Sequence, residues 1–532
     1  MTSAQCAATI VAQLLAQGVR EVVLAPGSRS APLALALARA EAESRLRLHV
    51  RYDERSAGFL ALGLAKGSGV PVAVVTTSGT AVGNLLPAVL EAHHAGVPLI
   101  VVSADRPAAM VGFGANQTTD QVRFFEPFVR WSARVSSAAP SASWAAQAAK
   151  AWLVASGLVS RNPGPVHLNV ELAEPLVGPV SDPMATPVRS TASLPGEPLV
   201  LPTGPSTLLV CGDASPEVGA AVAALAADAR LPLVAEPSSN ARSAAVRTGR
   251  LLLGGPLAQR VQRVVVFGHP TLSRPVNRLL ARRDVELVVV SPTADWVDPG
   301  WHASSVASAV VIEPCDGAWA AEWSDADARV SSALDDLLAD QGVFTGPALA
   351  AAVAASVPDG DVLVLGSSQP IRDADLSPLD GQVVYANRGL AGIDGTISTA
   401  VGIALATGRP TTLVCGDLTF LHDANGLAAG LGERRPNLRV VVADDSGGSI
   451  FATLEYGSAE FSDAFERVFA TPSGVDVAGV AEAHGLPVMR VSDATGLQTA
   501  LARPISGVEV IVARIDRAGR RALDQAINQL DG

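Results

Sequence analysis

The segment Thr411–Phe451, TTLVCGDLTFLHDANGLAAGLGERRPNLRVVVADDSGGSIF, constrains the fold more tightly than any other part of the chain. It reads as an apolar strand ending in Gly416-Asp417, a helix beginning near His422, and a second apolar strand ending in Asp444-Asp445-Ser446-Gly447-Gly448. The crossover helix makes the two strands parallel. Asp417 and Asp445 then share the carboxyl edge of one sheet, where open α/β sheets bind their ligands. Either aspartate alone could equally be a helix cap or ordinary loop chemistry. Two of them bracketing one helix, beside glycines that permit close backbone approach, suit a hard divalent cation such as Mg²⁺ that keeps phosphate oxygens among its ligands. The segment is therefore expected to hold a metal-bound diphosphate.

The rest of the chain alternates in the same way. Strands are expected at 21–25, 46–51, 72–77, 99–103 and 166–170, then at 207–211, 233–235, 264–267 and 287–290. A last set is expected at 362–365, 383–385, 412–415, 440–443, 488–491 and 508–513. Residues 181–206, rich in Pro and Ser, read as an extended linker. An α/β chain results that repeats one three-layer α/β/α architecture, with mainly parallel sheets, over residues 1–180, 207–343 and 344–532. A length of 532 residues exceeds what a single core supports, and abundant Ala and Gly suit helices packed closely on parallel sheets.

Composition removes several functions. The net charge is −12 and no basic run exists, so nucleic-acid binding is not expected. Cys6, Cys211, Cys315 and Cys415 lack the spacing of a zinc site or a disulfide framework, and the adjacent His93 and His94 face different sides of their helix. No basic region followed by an apolar block opens the chain, and no run reaches the roughly 18 apolar residues of a membrane span, so a soluble cytoplasmic protein is expected. Lys66 and Lys150 are the only lysines, which leaves almost no candidate for a Schiff base. Nearly all positive charge is arginine, whose planar fork pairs with carboxylates and phosphates.

Several expected strand ends carry such arginines. Pro26-Gly27-Ser28-Arg29-Ser30 is either an anion site at a helix start or a plain turn capped by Ser30. In Tyr52-Asp53-Glu54-Arg55, Asp53 is a natural cap, and Glu54 is either solvated or set among apolar neighbours that would raise its pKa. Ser103-Ala104-Asp105-Arg106 adds a second edge arginine. Gly112 to Gln117 lacks the third glycine and the preceding strand of a dinucleotide loop, and no GxxxxGK[ST] loop exists. Gly366 to Asp373 and Asn387-Arg388-Gly389 put Arg372 and Arg388 on the edge expected to carry Asp417 and Asp445.

A Gly-Asp followed after about thirty residues by an amide or acid pair resembles the metal-diphosphate motif of thiamin-diphosphate enzymes. More narrowly, APGSRSAPL, DERSAGFLALGLAKG, TSGTAVGNLLPAV, SADRP, GANQ, GPVHLNVELAEPL, NRGLAGIDGTIST, GDLTFLHDANGL and GGSIF resemble the 2-succinyl-5-enolpyruvyl-6-hydroxy-3-cyclohexene-1-carboxylate synthases of menaquinone biosynthesis. These motifs cover the first and last expected domains; the middle one is much less specific. The resemblance implies a pyrimidine-binding domain (1–180), a central domain (207–343) and a diphosphate-binding domain (344–532). It implies thiamin diphosphate held between the first domain of one subunit and the last of another, hence a homodimer or homotetramer. It implies decarboxylation of 2-oxoglutarate and addition of the succinyl unit to isochorismate.

By position, the same resemblance assigns Mg²⁺ or Mn²⁺ to Asp417, Asp445 and the Gly447 carbonyl. Glu54 becomes the cofactor-activating carboxyl and Ile393 the prop beneath the cofactor. Ser367, Gly416, Leu418 and Ile450 join the cofactor contacts. Ser28, Arg29, Arg106, Asn116, Gln117, Arg274, Ser368, Arg372, Arg388 and Phe451 become the substrate contacts. Two departures stand out: Leu418 follows the Gly-Asp where the superfamily commonly has Gly, and Asp445 stands where many members have Asn. The second carboxylate strengthens cation binding and adds repulsion toward diphosphate.

Overall fold

The computed structural model describes residues 2–183, 185–194, 196–293 and 295–530; positions 184 and 195 of the expected linker lie outside this set. Every ladder between named strands is parallel. The strands are β1 (Glu21–Leu24), β2 (Arg47–Val50), β3 (Val72–Thr76), β4 (Leu99–Asp105), β5 (Trp131–Ser136) and β6 (Val166–Glu171). Next come β7 (Leu199–Leu201), β8 (Thr207–Cys211), β9 (Leu233–Ala235), β10 (Arg263–Phe267), β11 (Glu286–Val290), β12 (Ser305–Ala307) and β13 (Val310–Ile312). The last set is β14 (Val362–Leu365), β15 (Val383–Ala386), β16 (Thr411–Gly416), β17 (Leu438–Asp444), β18 (Val488–Val491) and β19 (Val508–Arg514).

The chain forms two compact units. The first comprises Met1–Ser193, Gly389–Arg409 and His422–Pro436. Its sheet runs β2-β1-β3-β4-β6-β5. One face is covered by helices Ser3–Gln17, Ala31–Ala42 and Ser141–Ser156, which share a core with Val22, Val75, Ile100 and Leu168. Helix Glu54–Ser68 lies against β1 and β3, and helix Thr396–Thr407 packs along it. That helix pair is close because it is built on glycine: a Cβ on Gly63 would lie 2.1 Å from the Thr399 carbonyl oxygen, and one on Gly402 would lie 2.4 Å from that of Leu60. β5 was not expected from sequence. It is a half-exposed edge strand whose WSARVS lacks the continuous apolar run of its neighbours.

The second unit comprises Leu194–Arg388, Pro410–Leu421 and Asn437–Gly532. It holds a central sheet, β12-β11-β10-β8-β9, a two-stranded ladder, β13-β7, and a last sheet, β15-β14-β16-β17-β19-β18. β7 falls inside the stretch expected as a linker, where Leu199–Leu201 pair with Val310–Ile312. The C-terminal helix Arg520–Ile527 contributes Leu523 and Ile527 to the core of the central sheet, alongside Leu287 and Trp323. Among the described residues no helix is long and apolar enough to cross a membrane.

Candidate active site

β16 and β17 lie side by side with Gly416 opposite Ala443, so Asp417 and Asp445 leave the sheet at the same carboxyl edge. The helix expected to begin near His422 instead begins at Asp417 and ends at His422. Asp417 accepts the Leu418 N–H at 2.8 Å, and downstream Gly426, Gly430, Gly432 and Pro436 limit the remainder to a 3₁₀ turn, Ala424–Leu427, and a loop.

Both carboxylates are buried, Asp417 at 3% and Asp445 at 8% exposure. Burial pushes Asp417 up to about 6; the charge of Asp444 adds to this, and N–H donors of Leu418 and Gly447 oppose it. Burial likewise pushes Asp445 up to about 7, opposed by the Ser449 hydroxyl and reinforced by Asp417. Asp445 Oδ1 is buried with no protein partner. The intervening turn brings Gly447 to φ 140°, where an added Cβ would meet the Ala470 carbonyl oxygen at 2.4 Å. Two desolvated acids, one with an unsatisfied oxygen, beside a glycine-tight turn form a donor set that fits a hard cation. Among the described residues no three or more His, Cys, Asp or Glu side chains are grouped so as to hold a metal ion, so a cation here would draw its other ligands from backbone, water or phosphate.

Past β14 and β15 of the same sheet lie four more expected residues. Ser367 is buried and donates to the Asn387 carbonyl at 3.1 Å. Ser368, at φ 79°, precedes the helix Gln369–Ala374 and accepts Arg372 Nη1 at 2.6 Å through its carbonyl. Arg388 is almost fully buried, and Arg372 lies close enough that burial, then the Arg388 charge, depresses its pKa. Gly416, Leu418, Ile450 and Phe451 are half-buried around the β16 and β17 ends, the Phe451 ring 5.9 Å from that of Phe469. Arg274 opens the helix Arg274–Leu280 and is held by Glu455 at 2.9 Å in an exposed ion pair.

In the first unit, Arg29 and Arg106 share the edge of the sheet. Arg29 donates to the Leu172 carbonyl at 3.0 Å, and Ser28 before it is exposed. Ser30 does not cap its helix through the side chain; its hydroxyl turns back to the Gly27 carbonyl at 3.0 Å. Arg106 is buried and donates to the Gln117 carbonyl at 2.8 Å and to the Ser78 hydroxyl. Burial, then the neighbouring charge of Arg29, lowers its pKa. Gln117, exposed and at φ 55°, returns a bond from its amide to the Ser78 carbonyl at 2.9 Å; Asn116 beside it is exposed. Gln121 ties this loop down, bonding Ala104, Asn169 and the Gly79 N–H from a fully buried position. A lone Gln in a loop carries no motif, so its role is not legible in the sequence.

Glu54 is the first residue of its helix, capped by Asp53 through the Ser56 N–H at 3.2 Å. It is half-buried, so the apolar enclosure considered for it is only partial, because the first turn of its helix lies at the edge of the packed face. Both its neighbours are fastened: Arg55 donates to the His422 carbonyl at 2.6 Å, and Asp53 accepts from Asn425 at 2.9 Å. Between them the buried Asp423 accepts from the Ser398 N–H at 2.7 Å and from its hydroxyl at 3.1 Å. Ile393, half-buried, precedes the helix Thr396–Thr407 and accepts the Thr396 hydroxyl at 2.9 Å through its carbonyl.

Residues 5–124 match the thiamine pyrophosphate enzyme, N-terminal TPP binding domain, and residues 376–513 match the corresponding C-terminal TPP binding domain. A 2-succinyl-5-enolpyruvyl-6-hydroxy-3-cyclohexene-1-carboxylate synthase of Kineococcus radiotolerans is 51% identical, covering 96% of each chain. The chain belongs to this synthase family. A second synthase, from a Nocardioides species, is 49% identical over 98% of this chain and 96% of its own. The crystal structure of benzoylformate decarboxylase from Polynucleobacter necessarius superposes with a TM-score of 0.72 at 19% identity, covering 97% of this chain and 99% of that one, which shows a shared fold.

Proposed function

We propose that this synthase-family chain decarboxylates 2-oxoglutarate and adds the succinyl unit to isochorismate, giving 2-succinyl-5-enolpyruvyl-6-hydroxy-3-cyclohexene-1-carboxylate and carbon dioxide in menaquinone biosynthesis. The observation that carries the reading is the buried pair Asp417 and Asp445 on adjacent parallel strand ends, with an unsatisfied oxygen, in a chain of this family. Asp417, Asp445 and the Gly447 carbonyl are the residues that would hold Mg²⁺ or Mn²⁺ and, through it, a diphosphate.

Thiamin diphosphate, when bound, supplies the electron sink that decarboxylation of a 2-oxo acid requires. The chain's part is to orient and to move protons. Glu54 is assigned the proton exchange with the ring nitrogen of the cofactor's aminopyrimidine; Ile393 is assigned the prop that keeps the cofactor bent. Ser367, Gly416, Leu418 and Ile450 complete the cofactor contacts. Both acids carry carboxylates, and Arg29, Arg106, Arg274, Arg372 and Arg388, with Ser28, Asn116, Gln117, Ser368 and Phe451, are assigned to them. Residues 1–180, 207–343 and 344–532 take the pyrimidine, central and diphosphate roles, in a cytoplasmic homodimer or homotetramer.

The test mixes purified protein with both acids, thiamin diphosphate and Mg²⁺. Release of carbon dioxide together with the adduct is expected. Carbon dioxide without adduct would replace isochorismate with another acceptor, and neither product would remove the reading.

A further inference from the structure

Glu236 follows β9 at the carboxyl edge of the central sheet and is buried. Its two oxygens accept the Leu272 N–H at 2.7 Å and the Thr271 N–H at 3.2 Å, which fixes the loop after β10. The hydroxyl of Thr271 in turn accepts Arg388 Nη2 at 2.8 Å, and Arg388 stands just past β15 of the last sheet. Arg388 Nε is buried with no protein partner. Asp375, a further acid in this region, is taken up by Arg250 at 3.3 Å and Arg242 at 3.7 Å. Both acids make their direct bonds elsewhere, though the Glu236 charge lies near Arg388, and the Arg388 guanidinium keeps an unsatisfied donor beside the like charge of Arg372. Like charges held together in a buried setting favour an incoming anion.

We propose that Glu236 and Thr271 are positioning residues through which the central sheet orients the Arg388 guanidinium toward a substrate carboxylate. The inference rests on the reading of Arg388 as a substrate contact. Glu236 clamps the loop, the loop presents the Thr271 hydroxyl, and the hydroxyl fixes one nitrogen of the guanidinium, so the remaining donors point in one direction. A purely structural role would use the same contacts to join two sheets and would leave substrate affinity alone.

The experiment compares Thr271→Val, Thr271→Ser, Glu236→Gln and Arg388→Ala, and the doubles of Thr271→Val and Glu236→Gln with Arg388→Ala. Each is assayed as holoenzyme for kcat and for KM toward 2-oxoglutarate and isochorismate, with thiamin diphosphate affinity and thermal melting as checks on folding. Losing the bond from Thr271 to a charged donor should raise KM about tenfold for one acid, the same acid affected by Arg388→Ala. Thr271→Ser, which keeps the hydroxyl, should recover most of that loss. Added to Arg388→Ala, neither substitution should raise KM further, because the group it positions is gone.

If Arg388→Ala raises a KM but Thr271→Val and Glu236→Gln leave it unchanged, the positioning role is overturned and the reading of Arg388 stands. Effects that multiply in the doubles overturn it in the same way. If Arg388→Ala alters neither KM, the substrate reading of Arg388 falls, and the positioning role with it.

Discussion

On the proposed function, Asp417 and Asp445 would hold a charge and Glu54 would move a proton. The two aspartates, just past the ends of β16 and β17, are kept from water, and that desolvation raises both their pKa values. Glu54 differs: its neighbours Asp53 and Arg55 are tied to residues 422–425, so its backbone is fixed while its side chain remains half-buried. Glu54→Gln should keep thiamin diphosphate affinity within about twofold and lower turnover by about 10² to 10⁴, the range for losing a positioned acid–base group. Turnover at the native level would take Glu54 out of the reaction. The placement of the acids at 54, 417 and 445 was legible in the sequence because each follows a strand at the carboxyl edge of its sheet. Gln121, Asp423, Glu236 and Thr271 were not, since their significance comes from partners distant in sequence, such as Glu236 with Leu272 and Asp423 with Ser398.

At the scale of elements, the buried strands were legible because parallel sheets covered on both faces leave continuous apolar runs. The misses share a cause. β5, β7, β12 and β13 are partly exposed strands whose pairing is decided by a neighbour from elsewhere in the chain, and the helix after β16 is displaced because Asp417 starts it. The pairing of helices Glu54–Ser68 and Thr396–Thr407 was half-legible: both carry small residues, but only the structure shows Gly63 and Gly402 facing backbone. Gly63→Val should destabilise the protein by about 1–3 kcal/mol through overpacking, read from denaturant unfolding. A valine tolerated without loss would contradict the close contact. Asp423→Ala, which leaves the Ser398 N–H without its acceptor, should cost about 1–3 kcal/mol in the same measurement.

For the molecule as a whole, the compact units do not follow sequence order, because Gly389–Arg409 and His422–Pro436 join the N-terminal unit. Its acid groups also set how stability responds to pH. Glu236 is pushed up to about 7 by burial, opposed by the Leu272 N–H, the Arg388 charge and the Thr271 N–H, and reinforced by Asp375. A carboxyl raised on folding contributes stability below its unfolded pKa and loses that contribution as pH rises through the folded value. The stability advantage of wild type over Glu236→Gln should therefore be larger at pH 5 than at pH 8. An advantage constant across that window, or one growing with pH, would contradict the burial of this acid. The central claim, that Asp417 and Asp445 grip a cation which anchors a diphosphate, is tested most directly by titrating thiamin diphosphate into wild type and Asp445→Ala over a range of Mg²⁺ concentrations. Affinity should climb with Mg²⁺ in wild type and stay weak and flat in the variant; equal, metal-independent affinity in both proteins would contradict it.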